Sequence, residues 1–262
     1  MPWTLYDTLI AGVPEDVLVR DCCLGLHWSY VDAECGMGVA HTVRGGATEA
    51  HGPRELVGMR LRDVAELSKS WHYEQATLGV AALNAWYCQP ALLDALGARY
   101  DSPRDAAGDG ARGRAKRDAF EVMLPRIQAT EDAHVVVVGH FPHVERLQRY
   151  AHVTVLERAC THALDTPDPA CEFVLPGADF AFITGITLTN KTAPRLLQLA
   201  RGAVVSMVGP SVVMCQALLD AGVDMAAGRV VTDREAARAC VKSGGVLSFA
   251  GSLQTVTIER MS

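Results

Sequence analysis

Apolar residues in the second half of the chain fall in short unbroken runs: HVVVVG at 134–139, VTVLE at 153–157, FAFIT at 180–184 and AVVSMV at 203–208. None alternates with polar residues, so each reads as a strand covered on both faces, the condition of a parallel sheet flanked by helices. Helical spacing occupies the intervals 142–150, 169–175, 194–201 and 212–221, and the strand–helix rhythm predicts an α/β fold. After Gly222 the pattern is less regular. Thr232 and Glu235 form a T-x-x-E capping box for a helix ending near Gly244, with VLSFA and VTIE as closing strands.

The first half reads differently. An amphipathic helix over 2–11 is followed by VLVRDCC, HWSYVDA and MGVAHTV, each of strand length and separated by Gly25 and Gly36, which predicts a three-stranded antiparallel meander. The strongest helix of this half is expected over 68–87, capped by Ser68 or Ser70, with Gly79, Ala81, Ala82 and Ala85 permitting close packing. From 97 to 117 the chain turns to Gly, Asp, Arg and Ala with almost no large apolar residue, and a short helix follows at 118–128. The expected organisation is a smaller first domain over 1–96, a linker or mobile loop over 97–117 and an α/β domain with a parallel sheet over 118–262.

Composition narrows the function classes. The 262 residues carry a formal charge of −6 and no sustained Lys/Arg block, which argues against nucleic acid as a partner. The longest uncharged run, 202–219, is broken by Gly209-Pro210-Ser211, so no membrane span is expected. Eight scattered cysteines without a signal peptide read as reduced thiols in a cytoplasm, and Cys22 and Cys23, adjacent on a strand, would face opposite sides.

In an open α/β sheet the loops at the carboxyl ends of the strands gather into the binding edge. The stretch 178–192, ADFAFITGITLTNKT, predicts a strand, a polar loop and a new helix; Asn190 or Thr192 would cap that helix and Lys191 would bring a positive charge. Gly139 is followed by His140, Phe141, Pro142 and His143 rather than by G-x-G-x-x-G, which disfavours NAD. Glu157 lies 18 positions later at a strand end, where acidic side chains take ribose hydroxyls. Asp165 and Asp168, in DTPDPA, are explained by turn formation and capping of the next helix. In the fourth loop Gly209 permits close backbone approach and Ser211 can cap, but no His–Asp pair is placed to activate Ser211. His140 and His143, with Glu157 and with Glu74 beside His72 on the long helix, are candidate metal donors if folding gathers them, whereas paired-Cys metal spacing is absent.

VVVVGHFPHVERL, VTVLER, PGADFAFITGITLTNKTAPRLLQLA, VSMVGPS and AGVDMAAGRVVTD together resemble the DUF364 proteins, the family named for heavy-metal chelation. The region before 97 resembles the accompanying DUF4213 domain, whose fold is like the N-terminal domain of enolase. The resemblance implies an α+β first domain, a Rossmann-like second domain over 118–262 and a site between the two, with Gly139, Glu157, Thr184, Gly185, Thr187, Asn190, Lys191, Gly209, Pro210 and Ser211 as ligand contacts and Glu74 across the interface. Relatives commonly continue GPS with T-P, where this chain has GPSVVM. The implied cofactor is a transition metal or a metal chelate, and the implied partner is a small-molecule or metal-chelate ligand; a homo-oligomer is compatible with this reading. The alternative is a biosynthetic enzyme or binding protein for an anionic or nucleoside-containing small molecule.

Overall fold

The computed structural model describes residues 3–50, 52–53, 55–101, 119–247 and 251–260. After α1 (Thr4–Ala11), strands β1 (Val19–Leu24), β2 (Trp28–Ala33) and β3 (Met37–His41) form the antiparallel meander expected from the Gly25 and Gly36 breaks. Helix α2 (Leu61–Ala65) runs into a 3-10 turn at Glu66–Lys69, and the long helix α3 spans Tyr73–Tyr87. Neither Ser68 nor Ser70 caps α3. The Ser70 hydroxyl instead donates to Gln75 and accepts the His72 N–H, holding the chain extended just before the helix. The short helix α4 (Pro90–Ala95) and strand β4 (Arg99–Tyr100) complete this half.

The second half runs α5 (Ala119–Ala129), β5 (His134–Val138), β6 (His152–Glu157), β7 (Asp165–Pro167), α6 (Cys171–Val174), β8 (Phe180–Thr184), α7 (Ile186–Thr189), α8 (Ala193–Leu199), β9 (Val204–Val208), α9 (Gln216–Asp220), β10 (Met225–Val231), α10 (Arg234–Lys242) and β11 (Leu253–Glu259). Eight strands make one sheet in the order β4-β11-β10-β9-β8-β5-β6-β7, parallel from β10 to β7 and antiparallel at β11 and β4. Side chains alternate across this sheet as strand geometry requires. Val135, Val137, Phe180 and Phe182 pack under Met123 and Ile127 of α5, while Val136, Val138, Ala181 and Ile183 face the opposite core. That second core continues into α3 and the small sheet, burying Val31, Ala40, Val80 and Ala81 in the same apolar cluster.

Several expectations are corrected. Segment 142–150 is not an α-helix but a 3-10 turn at Val144–Arg149, entered through His143 in the left-handed region at φ 65°. α9 begins only at Gln216, leaving 212–215 outside the helix, with Cys215 extended just before it. The Thr232–Glu235 box does not form: Asp233 is the N-cap and its carboxylate accepts the Ala236 N–H at 3.0 Å. β10 lies within the region of weak pattern, because Ala226-Ala227-Gly228 supplies little β-branched signal. The expected linker contains β4 at its start, and 102–117 lie outside the described residues, as do 248–250 of the predicted strand VLSFA.

The halves are joined by named bonds. Tyr6 donates its hydroxyl to the Leu188 carbonyl at 2.7 Å, and the His41 N–H donates to Ser211 Oγ at 2.9 Å. Asn84 of α3 donates from Nδ2 to both Val39 O and Pro210 O. At the far edge Asp32, nearly buried, accepts from Arg234 and Arg238 of α10. Among the described residues no helix is long and apolar enough to cross a membrane, and all eight cysteines are free.

Candidate functional site

The strand order reverses between β5 and β8: the chain leaves β5 towards β6 and β7, then returns to the other side of β5. The loops diverge at that point and open a crevice at the carboxyl ends of the strands. A cleft of about 290 Å³ lies there, floored by Val138, Leu156, Ile186 and Leu196 and edged by Gly139, His140, Glu157, Arg158, Asp168, Cys171, Thr184, Thr187, Asn190, Thr192 and Arg195.

Gly139 makes the opening feasible. Its φ of 94° lies where side chains are disfavoured, and a Cβ there would stand 3.0 Å from Thr184 Cγ2. The next residue turns back, so the His140 N–H donates to Glu157 Oε2 at 3.0 Å while the Arg158 N–H donates to Oε1 at 2.8 Å. Glu157 is thereby fixed at the end of β6 with both oxygens held from one side. On the opposite wall Thr187 Oγ1 donates to Thr184 O at 2.7 Å. Asn190 is not a helix cap: its Oδ1 accepts from both the N–H and the hydroxyl of Thr192. Because a backbone N–H demands an acceptor, this pairing fixes which end of the amide is oxygen and leaves Nδ2 without a partner among the described residues.

The charged rim is already paired. Arg158 Nε donates to Asp168 at 3.1 Å, and Arg195 Nε donates to Glu172 at 2.8 Å within a bidentate pair. Sequence reasoning singled out neither arginine. Their guanidiniums are matched by carboxylates, so the rim is not an open cationic patch and gives an anionic ligand no excess of positive charge. Burial pushes the Cys171 thiol up, and Glu172 and Asp168 add to the effect, so it remains a thiol at neutral pH.

Behind His140 stands Asp165, whose side chain is fully enclosed. Its Oδ2 accepts the N–H groups of Thr161 and His162, each at 2.8 Å, and its Oδ1 lies 3.1 Å from His140 Nδ1. The Thr161 N–H above all, with His162 and His140, holds this carboxyl below the usual carboxylate range. The rings of His140 and His162 stack with centroids 4.0 Å apart and an interplanar angle of 14°. Imidazole lone pairs lie in the ring plane, so two near-parallel stacked rings cannot converge on one ion at the ~2.0–2.1 Å bonding distance.

The remaining sequence candidates lie elsewhere. A Cβ at Gly185 would collide with the backbone of Ser211 and Val212, which packs the 209–212 loop against β8. Pro210 and Ser211 spend their polar groups on Asn84 and His41, at the seam with the first half, and Gly209 precedes them there. Lys191 turns away from the cleft in a left-handed conformation at φ 66°, donating to Thr189 O at 2.7 Å and to Ser70 O, over the rings of Trp71 and Tyr73. Glu74 Oε1 accepts the Gly45 N–H at 3.5 Å, and its Oε2 lies 3.3 Å from His72 Nδ1 without hydrogen-bond alignment. His143 is exposed, 3.8 Å from Glu145, beside a separate surface hollow. Glu74, His140 and His143 are therefore not brought together, and among the described residues no three His, Cys, Asp or Glu side chains are grouped to hold a metal ion.

Burial lowers Lys191 to about 8. With the unfolded value higher, at 10.5, stability is present above 10.5 and lost as the pH falls through 8. Between pH 8 and 10 the melting temperature of wild type should therefore rise relative to that of Lys191→Met. Parallel curves would show that Lys191 carries no burial penalty.

Residues 118–257 match the DUF364 family and residues 6–87 match DUF4213, both described as "Putative heavy-metal chelation". An uncharacterized protein of Methanocaldococcus jannaschii is 29% identical over 216 residues, covering 78% of this chain and 74% of that protein. The crystal structure of a DUF364 protein from Desulfitobacterium hafniense is 31% identical and covers 99% of this chain and 98% of its own, with a TM-score of 0.82. One from Pyrococcus horikoshii, 22% identical over 99% of this chain and 100% of its own, shares the fold with a TM-score of 0.81. The match to more than half of its length places this chain in the DUF364 family, with a DUF4213 region preceding it.

Proposed function

We propose that the switch-point cleft binds a small organic chelator, free or as its metal complex, through hydroxyl or amine donors directed at Glu157. The observation that carries this reading is the Glu157 carboxylate itself, pinned by two backbone N–H groups at the rim of the cleft. A carboxylate oxygen keeps further acceptor capacity after one such bond, so Glu157 can receive donors from a ligand. Asn190 Nδ2 supplies the opposite polarity across the same opening. The ion-paired arginine rim favours a neutral or cationic ligand, and the family description directs attention to metal-binding compounds. In this reading metal affinity resides in the bound compound, and the chain's contribution is shape and hydrogen bonding.

A nucleoside-containing ligand is the second reading. It is favoured by the place of Glu157, at the end of the strand next to β5, where acidic side chains accept ribose hydroxyls in nucleotide-binding α/β folds. Native mass spectrometry of protein purified without chelators, with elemental analysis of the same sample, separates the two by the mass and metal content of the adduct. Glu157→Gln, whose amide NH2 cannot accept the second backbone N–H, is expected to bind the recovered compound about tenfold more weakly, equivalent to ~1.4 kcal/mol, and to melt modestly below wild type. A stoichiometric bare metal whose affinity is unchanged by Glu157→Gln would overturn both readings.

A further inference from the structure

The geometry points to His140 as a proton acceptor that lets the cleft take an acidic chelating hydroxyl, of the catechol or hydroxamate class, in its deprotonated form. This inference rests on the reading of the cleft as a chelator site and adds a chemical step to it.

The argument begins with Asp165. Its carboxylate accepts two backbone N–H groups through Oδ2 and meets His140 Nδ1 through Oδ1. A carboxylate only accepts, so Nδ1 must carry the hydrogen, and the neutral ring is fixed as the tautomer with its lone pair on Nε2. Nε2 has no hydrogen-bond partner among the described residues, and His140 forms part of the cleft wall beside Glu157. Stacking on His162 fixes the ring plane as the Asp165 bond fixes its rotation. An imidazole with a defined tautomer, a supporting carboxylate and an unoccupied lone pair at a cleft is the arrangement of a positioned base.

The charged and titratable groups around the ring are Asp165 behind it, His162 on its face, Glu157 on its own backbone N–H, and the Arg158–Asp168 pair across the rim. Asp165 offsets the positive charge of the imidazolium, whereas Glu157, held by two backbone N–H groups, is placed to accept a second hydroxyl. In the step proposed, the ligand O–H bond breaks, its electron pair stays on oxygen, and the proton forms a bond to Nε2. The result is a chelating oxyanion beside an imidazolium paired with Asp165, with no oxidant or co-reactant consumed. Here Asp165 is a positioning residue, since it acts through His140.

The probe is catechol, whose anion absorbs at longer wavelength than its neutral form, read by difference spectra in buffer about one pH unit below its own first ionisation, where an ordinary imidazole is neutral. Wild type is expected to show binding heat by calorimetry together with the anion band. His140→Gln, which retains the backbone N–H to Glu157, should bind at least tenfold more weakly and without that band. Asp165→Asn should bind with a diminished band, and nitrogen-15 spectra should change from a single Nδ1–H tautomer at His140 in wild type to a mixture. Binding heat without the anion band in wild type, or a band that persists in His140→Gln, would overturn the base while leaving the cleft reading intact. Absence of any binding heat would remove the chelator reading and this step with it. An Nε2–H tautomer in wild type would overturn the step regardless of binding.

Discussion

Gly38→Ala is expected to destabilise the fold by ~4 kcal/mol or more, well above the effect of an ordinary substitution. Gly38 lies in β3, and a Cβ there would stand 2.1 Å from the carbonyl oxygen of Ala81, 2.1 Å from the amide nitrogen of Ala85 and 2.5 Å from the carbonyl carbon of Asn84. These are backbone atoms of α3, so no rotamer change can relieve the contact. The helix would have to withdraw from the strand along much of its length. Gly202→Ala, where a Cβ meets nothing within 4 Å and φ is unrestricted, is the matched control and should be near neutral. Urea unfolding of both variants checks this. A loss below about 1 kcal/mol for Gly38→Ala would mean that α3 and β3 are not in backbone contact.

Asn84→Leu should cost ~3 kcal/mol, because both Nδ2 bonds and the weaker Cys88 thiol bond to Oδ1 vanish and two carbonyls are left with less than they need. Asn84 is 1% exposed, and its Nδ2 serves Val39 of β3 and Pro210 of the loop after β9 at once. One amide group thus ties a strand of the small sheet to a loop at the edge of the large one. The loss should be local as well as global. Amide exchange at His41, whose N–H is held by Ser211 beside Pro210, is expected to accelerate more than exchange in α5 on the far face. Equal acceleration everywhere, or a loss under about 0.5 kcal/mol, would show that the seam does not depend on this amide.

These two residues carry no sequence signal for their roles, since a glycine in a strand and an asparagine in a helix are each compatible with several environments. What was legible is what depends on local pattern. The valine run of β5 and the FAFIT run of β8 read as buried strands, and they are the two strands that flank the switch point. The same pattern puts Gly139, Glu157 and Thr184 at strand ends and Thr187 and Asn190 in the polar loop that follows, and all five line the cleft. Lys191 and Ser211 follow them closely in sequence or type, yet their groups are spent on the seam. That difference arises from a left-handed turn at Lys191 and from the docking of the first half, neither of which has a periodicity. The local sequence marks Asp165 as a turn former, and it holds the Thr161 and His162 amides. Its contact with His140 joins residues 25 positions apart and becomes visible only once β7 is paired with β6.

The pairing of β4 with β11 also bears on how the chain is made. β11 sits between β10 and β4, so Arg99–Tyr100, present early in synthesis, has no sheet to join until Leu253–Glu259 has left the ribosome. Until then Met225–Val231 presents an unpaired edge, the kind of surface on which nascent chains associate with one another. Chaperone access between the emergence of β10 and that of β11 should consequently govern the yield of folded protein more strongly than events while β1–β3 pair.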